Sequence, residues 1–381
     1  MISPQAFHGA LESAGVAFMA GVPDSLLKEF CAYVDAALPP AQHVIAANEG
    51  SAVGLAAGYY LASGKLPMVY LQNSGLGNTV NPILSLSDPE VYGLPLIVMI
   101  GWRGAPGVKD EPQHVKQGRV TPALLDAMEL PYRVLDGDEA AAMDVAKWAC
   151  EETLKRSGPV VILVHKGAFG KAEKKRPARA AQPDMLTREA AIALVTAAID
   201  PASTVVATTG MISRELYEQR VHHQQDRSSD FLTVGAMGHA SQIALGISIA
   251  QPGANVVCLD GDGAALMHLG GMASVGTTPT GNLLHVVLNN GAHDSVGGQP
   301  TVAFDVSLTG VAKACGYHEV IGPLVREDEI RAAVERLTAM KGHRFLELRV
   351  ATGSRDDLGR PKETPAENKA LFAARLAKAR G

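Results

Sequence analysis

Short apolar runs that alternate with helical patterns constrain the fold of this chain most strongly. In runs such as 96–100, 160–164 and 283–288, nearly every successive residue is apolar, rather than every second one. Strands that are buried on both faces have this pattern, and the helices between them cover the two faces of a parallel sheet. The sequence therefore predicts an α/β protein with doubly wound, mostly parallel sheets.

The length and one basic segment predict how these elements are divided. The 381 residues are enough for two domains. Residues 171–186 are basic, rich in Ala and Pro, and lack apolar periodicity, so they are expected to form a linker between domains at 1–170 and 187–381. The polar tail 351–365 predicts a solvated C-terminal arm, with a substrate-covering role as the alternative.

Composition excludes several classes of function. Hydrophobic residues make up 47% of the chain and the net charge is −5, which is typical of a folded domain and argues against binding nucleic acid through overall charge. No apolar run is long enough to cross a membrane, and residues 1–11 do not form a secretion signal, so a cytoplasmic location is expected. The four cysteines are far apart, without a C-x-x-C pair, which predicts buried reduced thiols rather than a metal or redox site.

The most informative motif follows a predicted buried strand, where Gly261-Asp262-Gly263 opens a helix and the next strand ends in Asn289-Asn290. Adjacent parallel strands bring Asp262 and Asn290 to the same sheet edge, where such sheets bind ligands. With the main-chain oxygen of Ala292 they form a hard-oxygen ligand set that suits Mg²⁺. Gly261, Gly263 and Ala264 would let backbone N–H groups approach a diphosphate.

The combined motif resembles the cofactor signature of thiamine diphosphate enzymes. The resemblance implies that Glu49, after the strand-like run 44–46, activates the cofactor's pyrimidine ring. It also implies that Met237 wedges the cofactor into a bent conformation and that His293 shuttles protons. Further cofactor contacts are implied for Thr209, Gly210, Met211, Gly235 and Asp294.

Longer segments resemble the phosphonopyruvate decarboxylase family, namely 22–28 (VPDSLLK), 48–65, 71–82, 100–119, 288–301 and 354–369. The resemblance implies two domains of the thiamine diphosphate-binding fold without a middle domain. It implies a carboxy-lyase of phosphonate biosynthesis that uses thiamine diphosphate and Mg²⁺. The implied reaction converts 3-phosphonopyruvate to phosphonoacetaldehyde and CO₂ through a ylid and an enamine. It also implies self-association, with the active site between subunits.

A phosphonate substrate requires a cationic partner. Arg103 is the leading candidate, because it follows a buried strand and a guanidinium binds such oxygens in pairs. His114 lies in the same segment, 103–119, which is predicted to be a polar loop that covers the active site. Further hydrogen bonds to substrate are expected from Ser25, Asn73, Asn78 and Gln299.

Four alternatives remain. Sulfopyruvate decarboxylase performs the same chemistry on a sulfonate, but that family tends to divide the two domains between separate chains, whereas here they are fused. Another 2-keto acid decarboxylase or carboligase would favour an apolar pocket over Arg103. A cofactor-binding but inactive subunit is disfavoured by intact Glu49, Asp262 and Asn290. A nicotinamide oxidoreductase is disfavoured because no G-x-G-x-x-G motif is present.

Overall fold

The computed structural model describes residues 1–173 and 185–378. The chain divides into two compact units, Met1–Ala178 and Arg179–Gly381, called here the first and the second unit. Most of the predicted linker, 171–186, lies outside the described residues, so its boundaries and those of the two predicted domains remain predictions.

The first unit is a six-stranded sheet in which all paired strands are parallel. The strands, in the spatial order β2-β1-β3-β4-β6-β5, are numbered along the chain as β1 Val16–Gly21, β2 His43–Ile45, β3 Leu66–Gln72, β4 Leu96–Gly101, β5 Tyr132–Leu135 and β6 Pro159–Val164. The helices are α1 Pro4–Ser13, α2 Lys28–Ala37, α3 Glu49–Ser63, α4 Leu76–Pro82, α5 Pro112–Ala127 and α6 Glu139–Arg156. Single helical turns lie at Asn73–Gly75 and Ile83–Ser87.

The second unit is also a six-stranded parallel sheet. Its strands, in the order β11-β12-β10-β9-β7-β8, are β7 Thr204–Ala207, β8 Asp230–Leu232, β9 Val256–Gly261, β10 Leu283–Asn289, β11 Glu319–Leu324 and β12 His343–Arg349. Its helices are α7 Arg188–Ala198, α8 Met211–His222, α9 Ala240–Ala250, α10 Asp262–Met267, α11 Gly270–Thr277, α12 Leu308–Ala314, α13 Glu327–Ala339 and α14 Pro365–Lys378, with a helical turn at Asp294–Val296.

The two sheets have the same topology. The second order, read in reverse and counted from its own first strand, repeats the strand order of the first unit. In both units the chain leaves the first strand to one side and returns for the third on the other. The resulting switch points lie between β1 and β3 and between β7 and β9. Open α/β sheets bind ligands at the carboxyl ends of the strands at such points.

The apolar runs form central strands because each sheet has a core on both faces. In β4, Ile97 and Met99 pack into one core, whereas Val98 and Ile100 pack into the other. Successive strand residues point to opposite faces, so both sets must be apolar. Burial of each such side chain contributes about 1.5–3 kcal/mol, which explains the continuous apolar pattern.

One prediction for local structure was wrong and another was incomplete. Segment 103–119 is not one loop, because α5 begins at Pro112 and places His114 in its first turn. Proline is favoured at this helical position, since its missing N–H needs no partner there. The C-terminal arm 351–365 is mostly exposed, as predicted, but it is also attached to the second unit. Leu358 is buried, and Arg214 Nε donates to the Gly359 carbonyl at 2.7 Å. The Asn368 side chain accepts from the Leu232 N–H and donates to the Asp230 carbonyl, both in β8.

The remaining expectations concern membranes and cysteines. Across residues 1–173 and 185–378, no helix combines the length and apolarity that a membrane span requires. The cysteines are free thiols, of which Cys31, Cys150 and Cys258 are buried and Cys315 is partly exposed. The predicted burial therefore holds for three of the four, and the reduced state remains a prediction.

Candidate active site

Asp262 and Asn290 lie side by side at the carboxyl edge of the second sheet. Gly261 pairs with Leu288 in the β9–β10 register, so Asp262 lies opposite Asn289, and the backbone N–H of the next residue, Asn290, donates to the Asp262 carboxylate. Asp262 is 3% exposed and accepts a hydrogen bond from the Thr301 hydroxyl. Burial raises the pKa of Asp262 to about 6, although hydrogen bonds such as that from Thr301 oppose the shift. A bound cation would relieve the cost of holding this buried carboxylate ionised.

The amide of Asn290 has a defined orientation. Its Nδ2 donates to Asp294 Oδ2 at 2.6 Å, and its Oδ1 accepts from the Ala292 N–H at 3.1 Å. An amide oxygen has two acceptor positions, so Oδ1 retains one for a further partner. The carboxylate of Asp262, this amide oxygen and the Ala292 carbonyl are the oxygen types that Mg²⁺ binds. The residues therefore fit the predicted metal.

Met237 and His293 meet above the first turn of α10. A Cβ added to Gly263 would lie 3.2 Å from the His293 ring and 3.5 Å from Met237 Cε, so both side chains contact this glycine. Burial lowers the pKa of His293 to about 4. The imidazole is therefore neutral at pH 7, with one nitrogen able to accept a proton.

The loops after β7 and β8 are joined beside this point. The Gly235 N–H donates to Thr209 Oγ1 at 3.0 Å. Gly210 has a φ of 101° immediately before α8, a conformation that favours glycine. The predicted cofactor contacts Thr209, Gly210 and Gly235 thus belong to two adjacent loops of one sheet edge, and Met211 begins α8 directly after the first of them.

In the first unit, Glu49 opens α3 and its carboxylate is buried. Asn48 caps the helix by accepting from the Ser51 N–H, and Asn78 Nδ2 donates to Glu49 Oε2 at 2.7 Å. Glu49 is 5% exposed, and burial raises its pKa although the hydrogen bond from Asn78 opposes the shift. Asn78, predicted to contact substrate, thus has a protein partner in this structure.

The Glu49 carboxylate packs directly on the backbone of Gly75. A Cβ at position 75 would lie 2.1 Å from Glu49 Oε1, well inside van der Waals contact. Only glycine leaves room for the carboxylate in this position. The sequence analysis missed Gly75, because nothing in its local pattern distinguishes it from other loop glycines.

Arg103 is held by an ion pair that the sequence analysis missed. Its Nε donates to Asp110 Oδ2 at 2.7 Å, Nη2 donates to Asp110 Oδ1, and Nη1 donates to Ser25 Oγ at 2.7 Å. Burial tends to raise the pKa of Asp110, but the hydrogen bonds from Arg103 outweigh this effect and hold it below the usual range. Asn73 bonds to both the N–H and the C=O of Arg103.

Two further side chains nearby, His114 and Trp102, are buried or anchored. His114 is 6% exposed, and its Nδ1 has no hydrogen-bond partner among the described residues. Burial lowers its pKa, and the Arg103 charge adds to the effect. Trp102, whose role the sequence left open, anchors the segment, because its Nε1 donates to the Gly118 carbonyl at 2.8 Å.

Asp24 is a buried acid that follows β1 at the first switch point. It is fully buried, and its Oδ2 accepts from the N–H groups of Leu26 and Leu27 at 2.9 and 3.1 Å. Its Oδ1 has no hydrogen-bond partner among the described residues. Burial raises the pKa of Asp24 to about 6, against the opposing charge of Arg103 and these hydrogen bonds. The sequence analysis missed Asp24, although its position shortly after a buried strand could have identified it as a candidate.

Gln299 has an unsatisfied amide in the second unit. The side chain is 4% exposed, and neither Oε1 nor Nε2 has a hydrogen-bond partner within the described ranges. Its main-chain oxygen accepts from the His293 N–H at 2.8 Å, which places it in the loop that carries Asn290. Buried amides without partners are uncommon, so this one is suited to a ligand.

Matches to known families cover most of both units. Residues 4–130 match the N-terminal TPP binding domain of the thiamine pyrophosphate enzymes, and residues 208–348 match their C-terminal TPP binding domain. The two parallel sheets, with polar residues at their strand ends, are therefore those of a thiamine pyrophosphate enzyme, and no middle domain is evident.

Comparison with individual relatives identifies a family within the thiamine pyrophosphate enzymes. Phosphonopyruvate decarboxylases from Streptomyces viridochromogenes and Streptomyces hygroscopicus are both 39% identical to this chain, over 98% and 96% of it and 95% and 92% of their own length. A sulfopyruvate decarboxylase from Methanosarcina acetivorans is 27% identical over 90% of each chain. A solved benzoylformate decarboxylase from Polynucleobacter necessarius is 13% identical, with a TM-score of 0.38, over 93% of this chain and 100% of its own. The chain belongs to the phosphonopyruvate decarboxylase family of thiamine pyrophosphate enzymes.

Proposed function

We propose that this enzyme decarboxylates 3-phosphonopyruvate to phosphonoacetaldehyde and CO₂. The observation that carries the proposal is the 39% identity over nearly the whole length of two phosphonopyruvate decarboxylases, against 27% for the sulfopyruvate enzyme. Domain fusion does not separate the two substrates, because the Methanosarcina sulfopyruvate decarboxylase also matches both units within one chain. The substrate assignment therefore rests on similarity and on the residues of the pocket.

The second unit supplies the residues that would hold the cofactor. Asp262, Asn290 and the Ala292 carbonyl would bind Mg²⁺, and the loops at Thr209–Gly210 and Gly261–Ala264 would contact the diphosphate. Thiamine diphosphate, when bound, supplies an electron sink for the carbon–carbon bond that breaks as CO₂ leaves. Met237 would support the bent cofactor, and the neutral His293 imidazole would accept or return a proton.

Glu49 would share a proton with the pyrimidine ring of the cofactor. Its raised pKa makes the carboxyl a better proton holder than an exposed glutamate. Asn78 holds Oε2, and Gly75 leaves space beside Oε1, so the carboxyl group has one defined orientation. The catalytic use of Glu49 thus depends on two residues that do not themselves carry charge.

Arg103 would bind the phosphonate through the N–H groups that the protein leaves open. A guanidinium has five N–H groups, and in the described part of the chain Asp110 and Ser25 take three of them. One N–H on each terminal nitrogen is available for phosphonate oxygens. The ion pair with Asp110 has two hydrogen bonds, so it fixes the direction in which these two N–H groups point.

Further substrate contacts would come from groups that lack a partner or lie beside Arg103. Gln299 and the Nδ1 of His114 are buried and unsatisfied, so a substrate oxygen or hydroxyl would restore their lost hydrogen bonds. Ser25, Asn73 and Asn78 lie beside Arg103 or Glu49 but already bond to protein groups. Their predicted contacts with substrate remain predictions.

The enzyme would act as a self-associated oligomer with its active site between subunits. The outer face of α3, the helix that begins at Glu49, exposes Leu55 and Leu61 at 41% and 70%, together with Gly54 and Gly58. An apolar face of this kind favours burial against a second copy of the chain. In Methanothermobacter thermautotrophicus, a related sulfopyruvate decarboxylase has an alpha and a beta subunit, which match 42% and 45% of this chain and support an assembly of more than one chain.

Co-expression of two inactive variants tests the shared site. If one chain supplies Glu49 and its partner supplies Asp262, a mixed dimer of Glu49→Gln and Asp262→Asn contains one intact site and one doubly altered site. We expect the purified mixed dimer to regain activity that neither variant has alone. No recovery in a mixed dimer of verified composition would place both residues of each site on one chain. Light scattering of the parent protein measures the number of subunits.

The substrate is tested by CO₂ release from phosphonopyruvate, sulfopyruvate and pyruvate, each assayed with and without Mg²⁺ and thiamine diphosphate. We expect cofactor-dependent release with the highest kcat/KM for phosphonopyruvate. A higher value for sulfopyruvate would contradict the phosphonate assignment and keep the decarboxylation. No release from any of the three acids would contradict the proposed activity. We also expect a cytoplasmic enzyme, as the free thiols suggest, which cell fractionation measures.

A further inference from the structure

A buried ion network lies behind the metal loop of the second unit. Arg188, the first residue of α7, is 4% exposed. Its Nε and Nη2 donate to the two carboxylate oxygens of Glu215, each at 2.8 Å, and Glu215 on α8 is 2% exposed. Its Nη1 donates to Asp294 Oδ2 at 3.0 Å. One guanidinium therefore links two helices to the turn that follows β10.

Asp294 Oδ2 connects Arg188 to the side chain of Asn290. Besides Arg188, Asp294 Oδ2 accepts from Asn290 Nδ2 at 2.6 Å and from the Gly353 N–H at 2.9 Å. Because the nitrogen end of the Asn290 amide bonds to this carboxylate, the oxygen end must face the other way. An amide that lost this acceptor could rotate and present its NH₂ group instead, which does not bind a cation.

Stability alone is a poor explanation for such a network. Burying charged groups costs solvation energy that their mutual attraction often fails to recover, and apolar replacements of buried ion pairs are frequently as stable. A cation in the first turn of a helix is also unfavourable for the helix dipole, yet Arg188 occupies that position in α7. Groups behind a metal ligand, by contrast, commonly fix its orientation and raise metal affinity.

We propose that Arg188 is a positioning residue that acts through Asp294 to hold the Asn290 amide oxygen toward the metal. The proposal rests on the proposed function, because it takes Asn290 as a ligand of Mg²⁺. It also changes the interpretation of Asp294, which the sequence analysis expected to contact the cofactor. In this structure its carboxylate binds Arg188, Asn290 and the Gly353 backbone instead.

The test measures metal affinity directly, with Mn²⁺ as the probe, by the electron paramagnetic resonance of the free ion at saturating thiamine diphosphate. Arg188→Lys and Asp294→Asn should each weaken Mn²⁺ binding roughly 10- to 100-fold. The double variant, Arg188→Lys with Asp294→Asn, should bind Mn²⁺ about as weakly as Asp294→Asn alone, because Arg188 acts on Asn290 only through Asp294. Circular dichroism and the melting temperature establish that each variant is folded.

A matched control is available in the same unit. Arg220 forms a similar two-bond ion pair with Asp230, at 2.9 and 3.2 Å, away from the metal loop. Arg220→Lys should leave Mn²⁺ affinity within about twofold of the parent protein, as expected for sites that share no partner. Equal weakening by Arg220→Lys would overturn the proposal, because the effect would then be general damage to a buried ion pair.

Two more outcomes separate this inference from the proposed function. If Asn290→Ala abolishes Mn²⁺ binding but folded Arg188→Lys binds as the parent does, the positioning role is overturned and the metal site stands. If the parent protein binds no Mn²⁺ in the presence of thiamine diphosphate, the metal site and the positioning role fall together. Should Arg188→Lys not fold, Arg188→Lys with Glu215→Gln removes the unpaired buried charge, and the same affinities are expected.

Discussion

Replacing Asp24 by asparagine should stabilise the enzyme at neutral pH but not in acid. The folded chain buries the carboxyl completely and leaves one of its oxygens unsatisfied. Its pKa therefore rises from an ordinary 3.8 to about 6. Well below pH 3.8 the group is protonated in both the folded and the unfolded chain, and it carries no charge penalty. As the pH rises from 3.8 to about 6, the unfolded chain releases its proton while the folded chain still holds it, so stability is lost until the folded carboxyl also ionises at about 6.

The size of this effect follows from the pKa difference. Each pKa unit corresponds to about 1.4 kcal/mol, so the rise from 3.8 to about 6 corresponds to roughly 3 kcal/mol. The asparagine side chain of the variant cannot ionise and avoids this cost. The free energy of unfolding of Asp24→Asn, relative to the parent, should therefore increase by roughly 3 kcal/mol between about pH 4 and pH 7.5.

Urea unfolding of the apoenzyme, followed by tryptophan fluorescence, measures this difference. Both tryptophans of the chain, Trp102 and Trp148, belong to the first unit, so the signal reports the unit that contains Asp24. Asp144→Asn, which makes the same change of side chain on the exposed side of α6, is the matched control. A parent-to-variant difference that is equal at both pH values would refute the argument that an ionised, buried Asp24 destabilises the fold.

The other predictions concern turnover. Glu49→Gln should retain thiamine diphosphate, measured by titration, but lose most of kcat, because an amide cannot hold the transferred proton; normal turnover would remove Glu49 from its role. Gly75→Ala should displace the Glu49 carboxylate and reduce kcat about 100-fold, whereas Gly77→Ala, whose Cβ would meet nothing within 4 Å, should be neutral; equal kcat values for the two would contradict the packing argument. Arg103→Ala should reduce kcat/KM for phosphonopyruvate about 10- to 100-fold, with a much smaller loss for pyruvate, and equal losses would make Arg103 structural.

The sequence was most informative where burial is complete. The apolar runs 96–100, 160–164 and 283–288 lie within strands Leu96–Gly101, Pro159–Val164 and Leu283–Asn289. Central strands and the helices against them must be apolar where they meet a core, so their positions can be predicted from the local sequence. Three of the four edge strands, β5, β8 and β11, were not predicted, because partial exposure at a sheet edge permits a mixed pattern, whereas the edge strand β2 was found from the short apolar run 44–46.

The candidate site follows the same division. Position after a strand is a local property, and it led to Arg103, Asp262 and Asn290, whereas Glu49 was predicted from the resemblance to thiamine diphosphate enzymes. It did not reveal Asp110 beside Arg103, because the sequence predicted a loop over 103–119 in which no side-chain direction was defined.

By itself the sequence determined the fold class, the cofactor motif and the family, since each depends on residue types in a fixed local order. Only the tertiary structure decided which groups hold the site residues in place. Thr301 lies 39 residues from the Asp262 that it contacts, and Arg188 lies 106 residues from Asp294. Such pairs form because separate helices and turns pack against the same sheet edge. That packing cannot be predicted from the local sequence around either residue.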